Sequence, residues 1–203
     1  MKSEKNNFIA KCALLIVVVA IAVISLYYGV IDKKTEEAEG SYPKTTYEIL
    51  AVKDFDISYP ATPYELLKTY NKYLKYMYNS ETSDDELEVL VDKIRCMWSD
   101  EWLELNERDM HVSNMRAEID KFQEDGKVMS NYTVSDSSTV KEFTSKDGRE
   151  GCTLVSSYLY TIKKSTSKVY MTYYFLKENG RWKILYYELT DESGNKIVSR
   201  EAE

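Results

Sequence analysis

The chain has 203 residues, 43% of them hydrophobic and 13% aromatic, enough for one domain with a proper core plus an appendage and too few for two full domains. Its formal net charge is −7, and setting aside residues 1–31, which hold three basic residues and one acidic, moves the balance to −9. That balance argues against nucleic acid or anionic headgroups as the main partner of the remainder, since both demand clustered Lys and Arg.

Residues 1–11 carry Lys2, Lys5 and Lys11, and residues 12–31, "CALLIVVVAIAVISLYYGVI", carry no charge at all. A helix of that length spans about 30 Å, the thickness of the bilayer hydrocarbon. A cleaved signal peptide has a shorter apolar run followed by a small-x-small site; here the run ends in Leu26, Tyr27 and Tyr28, which suit an interfacial aromatic belt. The expectation is a transmembrane helix over 12–31. Lys33 and Lys34 follow it, a thin margin that favours a cytoplasmic N-terminus and a cell-membrane protein whose C-terminal bulk lies outside the cytoplasm.

Residues 32–58 are charged, with scattered apolar residues, and read as a tether with one short extended piece around Tyr47 to Val52. From Tyr59 the pattern changes. Thr62, Pro63 and Glu65 make a capping box with proline at the first helical position, and Leu66, Leu67, Tyr70, Tyr73, Leu74 and Met77 form one stripe, predicting a helix from Thr62 to Asn79. Ser83 with Glu86 repeats the box, and Leu87, Leu90, Val91, Ile94 and Trp98 carry a second stripe. Ser99 restarts or kinks that helix. A third helical stretch from Glu107 to Glu124 places His111, Met115, Ile119 and Phe122 on one side and stops before Gly126.

Beyond Gly126 the segments "VMSNYTV", "STVKEFT", "CTLVSSYLYTI", "KVYMTYYFL" and "RWKILYYEL" are rich in β-branched and aromatic residues and read as strands. Asn179-Gly180 is a hairpin signal, because a type I′ turn needs positive φ at both central residues, and the last three strands are expected to form an antiparallel meander. In "RWKILYYEL" strict alternation puts Trp182, Ile184 and Tyr186 on one face and Leu185, Tyr187 and Leu189 on the other. Residues 59–190 are thus one α+β domain, and 191–203 a tail.

Helices followed by a long antiparallel sheet whose closing strand carries "KENGRWKI" resemble the NTF2-like (nuclear transport factor 2-like) superfamily, in which about three helices pack on a curved sheet to form a cone. The run "YEILAVKDFDISYPATPYELLKTYNKYLKYMYN" with "GRWKI" is similar to a family of uncharacterised single-span membrane proteins of Gram-positive bacteria, a domain of unknown function. The resemblance implies a fold and a location but no activity.

Few residues suggest chemistry. His111 is the one histidine, a weak candidate for acid-base work and more ordinarily a packing residue. Cys96 and Cys152 are the cysteines outside the apolar run, able to form a disulfide in an exported domain or to remain ordinary free thiols. The acidic runs at Asp84–Glu88 and Asp100–Glu107 begin where helices begin and need no metal. "DESGN" at 191–195 lacks the alternating ligands of a calcium loop, and Gly148 and Gly151 make no phosphate loop. No catalytic, cofactor-binding or metal residue is assigned, and no cofactor is expected. What remains is tyrosine, eighteen residues, of which Tyr158, Tyr160, Tyr173 and Tyr187 either line a ligand or partner surface or are half-buried sheet residues. The expected role is a non-catalytic binding or scaffold module for another envelope protein or a small ligand. The alternative is an isomerase or dehydratase, which needs a carboxylate or His111 in an apolar cavity beside tyrosine donors.

Overall fold

The computed structural model describes residues 45–197. The expected cytoplasmic segment 1–11, the span 12–31, residues 32–44 of the tether and the end of the tail lie outside it. Among the described residues no helix is long and apolar enough to cross a membrane.

Among the described residues five helices precede the sheet. α1 (Thr46–Ala51) occupies the stretch expected to be extended. Thr45 Oγ1 accepts from Glu48 N while the Glu48 carboxylate accepts from Thr45 N, and this reciprocal cap starts a helix too short to show a periodic stripe. Leu50 and Phe55 are buried, and the Tyr73 hydroxyl donates to Leu50 O at 2.7 Å, so packing begins well before Tyr59.

α2 (Pro63–Asn79) starts at the Thr62 cap, with Pro63 at the first turn. Glu65 returns its bond to Ala61 N, one residue earlier than a capping box requires. α3 (Asp84–Arg95) has the complete Ser83–Glu86 box. Trp98 does not extend the α3 stripe. The chain has left the helix at Cys96 and Trp98 forms a parallel bridge with Ile184. Ser99 then caps the six-residue α4 (Asp100–Leu105), accepting from Trp102 N. α5 (Arg108–Glu124) is followed by Gly126 at φ 63°, a conformation in which glycine carries no steric cost.

The sheet is open and antiparallel: β1 (Lys127–Val134), β2 (Lys141–Thr144), β3 (Glu150–Ile162), β4 (Ser165–Glu178) and β5 (Arg181–Thr190), in the order β1-β3-β4-β5, with β2 also pairing with β3. Asn179 and Gly180 both have positive φ, as the hairpin requires, and β3, β4 and β5 form the expected meander.

Strict alternation along β5 fails. Tyr174 faces Tyr186 but Phe175 faces Ile184, so Leu185 is an extra residue in a β-bulge. The bulge shifts the phase by one. Ile184 and Tyr187 therefore share the helix-covered face with Phe175 and Tyr173, while Tyr186 crosses to the other face and stacks on Tyr174 at 4.2 Å. The sequence expectation of Ile184 and Tyr186 on one face is overturned for this reason.

α2 lies across the inner face, touching β1, β3 and β5, and the core forms between it, α3 and the strands around Leu67, Met77, Leu90, Ile94, Phe175 and Ile184. The outer edge of β5 is partly closed by the α3–α4 connection: Ile184 N donates to Met97 O at 2.8 Å and Ser99 N to Ile184 O at 2.9 Å.

Candidate functional site

The tyrosines divide by what lies over them. Tyr158 of β3 and Tyr173 of β4 point inward beneath α2, each 1% exposed. Their hydroxyls meet at 2.6 Å; Tyr158 also donates to Asn71 Oδ1 at 2.7 Å, and Asn71 Nδ2 donates to Ser156 Oγ at 2.9 Å. The Ser156 hydroxyl continues to Thr133 O at 3.3 Å. Each of these four side chains has a partner, so the buried amide and hydroxyls cost little desolvation. Burial holds the phenols of Tyr158 and Tyr173 protonated, well above their ordinary range. These two tyrosines fill the interior and offer no surface to a partner.

Asn71 was not a sequence candidate, although it had a signal. It sits on the apolar stripe of α2, four residues after Leu67 and three before Leu74, where a polar side chain must find an internal partner.

Tyr187 and Tyr160 stand at the rim instead. Tyr187, brought inward by the bulge, is 46% exposed, with its ring 5.3 Å from Tyr173 and 6.0 Å from Trp98. Trp98 stacks on Trp102 of α4 at 4.3 Å, and Leu105 of the same helix is 83% exposed. Tyr160 packs edge-on against Phe122 of α5 at 5.6 Å. Burial raises both phenols, Tyr160 to about 12, and the charge of Glu118 on α5 adds to the effect on each. Glu118 accepts a hydrogen bond from the Tyr78 hydroxyl, and the Tyr78 ring packs on Phe122 at 4.7 Å, which sets the carboxylate beside the Phe122–Tyr160 pair at the mouth between α5 and the sheet. The arrangement presents apolar ring faces, phenol donors and one carboxylate, a set suited to recognition.

His111 lies near this mouth but is engaged. Its ring packs edge-on to Trp102 at 4.9 Å, and Nδ1 lies 3.5 Å from Arg95 Nη1. Burial and the Arg95 charge lower its pKa to about 4, so the imidazole is neutral at physiological pH. Cys96 is exposed and Cys152 buried, and both are free. Burial pushes the Cys152 thiol up to about 12, which makes it a poor nucleophile. The Asp191 carboxylate accepts from Ser193 N, Asn195 N and Asn195 Nδ2, which explains "DESGN" as a turn. Among the described residues no group of three His, Cys, Asp or Glu side chains is placed to hold a metal ion.

A concavity of about 450 Å³ lies on the other face of the sheet, between Phe143 of β2, Val155, Thr172 and Tyr174 on the floor, and Gly194 of the tail. Its Thr172 hydroxyl is paired with Thr190 at 3.0 Å. The shallow hollow contains none of the four sequence candidates.

None of the curated proteins matches this sequence. Among solved structures, the crystal structure of the intermembrane space region of chloroplast protein ARC6 aligns with 64% of this chain and 98% of its own, at 12% identity and a TM-score of 0.31, too low a score to support an argument about fold or role. The family model described as Domain of unknown function (DUF6715) matches residues 1–187, nearly the whole length, and the chain belongs to that family.

Proposed function

We propose that the protein is a membrane-anchored binding module: residues 12–31 cross the membrane, and an α+β domain of NTF2-like architecture, held outside the cytoplasm, docks another envelope protein through the mouth formed by Tyr160, Tyr187 and Glu118. The anchor rests on twenty uncharged residues bounded by lysines. The NTF2-like reading rests on helices packed against one face of an antiparallel sheet with a bulged closing strand.

One observation carries the binding role. The inner hydroxyls and the Asn71 amide are bonded to one another, while the aromatic surface continuous with them opens to solvent at Tyr187. Beneath α2 the interior is occupied by Tyr158, Tyr173 and Asn71, already bonded to one another, which favours recognition over turnover.

The test is crosslinking of the full-length protein in intact membranes, followed by identification of what co-purifies. A reproducible partner lost on Tyr187→Glu, with an unchanged far-ultraviolet spectrum and thermal midpoint, supports the reading. A partner retained by Tyr187→Glu and by Tyr160→Glu sinks it.

A further inference from the structure

α2 turns a second face outward. Lys68, Lys72 and Lys75, spaced four and three residues apart, lie along one stripe opposite the buried one. Lys68 and Lys72 are exposed; Lys75 is half-buried and donates to Ser130 O at 2.9 Å. No carboxylate pairs with any of the three among the described residues, whereas Arg108, Arg116, Lys121, Lys127 and Arg149 all pair with acids. The excess of acid over base in this domain makes three unpaired ammonium groups on one face a segregated charge.

A hollow of about 540 Å³ opens beside them, lined by Lys72, Lys75, Tyr76, Tyr132 and Thr46. Thr46 is the first residue of α1, so the chain enters the described domain next to the lysines.

We infer that this stripe is a docking face for an anionic lipid bilayer, with phosphate-bearing headgroups against Lys72 and Lys75 and the rings of Tyr76 and Tyr132 beside them. The inference rests on the anchor proposed for residues 12–31. Residues 32–44 are thirteen in number and reach at most about 45 Å, which bounds how far Thr46 can stand from the end of the span. Tethering supplies a high effective concentration, so a few lysines suffice where free association would demand a larger cluster. The overall acidity of the domain complements this, because the acidic parts of its surface are repelled by the same bilayer. Docking by this flank, along β1, leaves the β5 edge and Tyr187 turned away from the lipid.

The test uses the full-length chain in lipid nanodiscs, with Cys12→Ser and Cys96→Ser and a fluorophore on Asn131→Cys beside the stripe or on Thr144→Cys of β2, which pairs with Glu150 at the start of β3. Nitroxide-labelled headgroups quench whichever probe approaches them. The expected result is quenching of the Asn131 probe several-fold stronger in discs with about a third phosphatidylglycerol than in phosphatidylcholine alone, abolished by about 0.5 M salt, with the Thr144 probe indifferent. The combined Lys68→Gln, Lys72→Gln and Lys75→Gln variant should lose the difference while keeping its thermal midpoint. Equal quenching in both discs, or quenching unchanged in the triple variant, overturns the inference. Failure of the chain to co-elute with discs is a separate readout that removes the anchor, and the docking with it.

Discussion

Tyr173 and Tyr187 face each other across β4 and β5, on the same side of one sheet, yet they do opposite work. Tyr173 lies under α2 with its hydroxyl bonded to Tyr158, while Tyr187 sits where the helical cover ends and shows half its surface to water. The residue type is fixed by strand propensity in both cases; the overlying helix decides which becomes core and which becomes rim. A strand rich in tyrosine is thus not by itself evidence of a binding surface, and the end of the helical cover is the feature to look for.

Truncation is the harshest way to break this comparison. Tyr173→Ala should cost about 3–5 kcal/mol in a urea unfolding midpoint analysis, since it leaves a large cavity and strips Tyr158 of a partner, whereas Tyr187→Ala should stay within about 1 kcal/mol. Equal costs would mean that the two rings are not divided into core and rim. Removing the amide alone is a finer cut: Asn71→Ala should cost about 2 kcal/mol, because the Tyr158 hydroxyl and Ser156 lose their shared partner without any charge being involved.

Acid should act on the rim before the core. His111 has a folded pKa of about 4 against an ordinary value near 6.5, so between those two values the unfolded chain binds more protons and stability falls as the pH is lowered. The loss should be on the order of 1 kcal/mol once partial exposure of the ring is allowed for, and it should disappear in His111→Gln when unfolding is followed at pH 7 and pH 4.5. Smallest of all, the Tyr174–Tyr186 stack on the opposite face should show a coupling of about 0.5 kcal/mol in a double-mutant cycle with alanine, as Tyr186 is exposed and Tyr174 only half-buried.

Much of this architecture is written locally. The caps at Thr62 and Ser83, the stripe of α2 and the Asn179-Gly180 turn each depend on residues within a few positions of one another, and each is found where its motif stands. α1 was equally local, since the Thr45–Glu48 pair is a capping box, but with six residues it has no stripe to confirm it. The bulge at Leu185 is of another kind. "KILYYEL" is apolar on both sides, so no periodicity marks the slip, and Ile184 is held by Met97 and Ser99, some eighty-five residues away. The rim inherits that illegibility: Tyr187 reaches the mouth only because of the slip, and Glu118 comes to its edge only through the packing of α5 and its bond from Tyr78.

The clasp of Ile184 by Met97 and Ser99 also has a temporal meaning. Trp98, between those two residues, is almost fully buried, and its cover includes the last strand of the sheet. A chain made from its amino terminus therefore cannot close its core until β5 has emerged. Until then the apolar faces of α2 and α3 wait without cover, and because loop closure over such a separation is slow, folding should be a single late event rather than a helix-by-helix accretion.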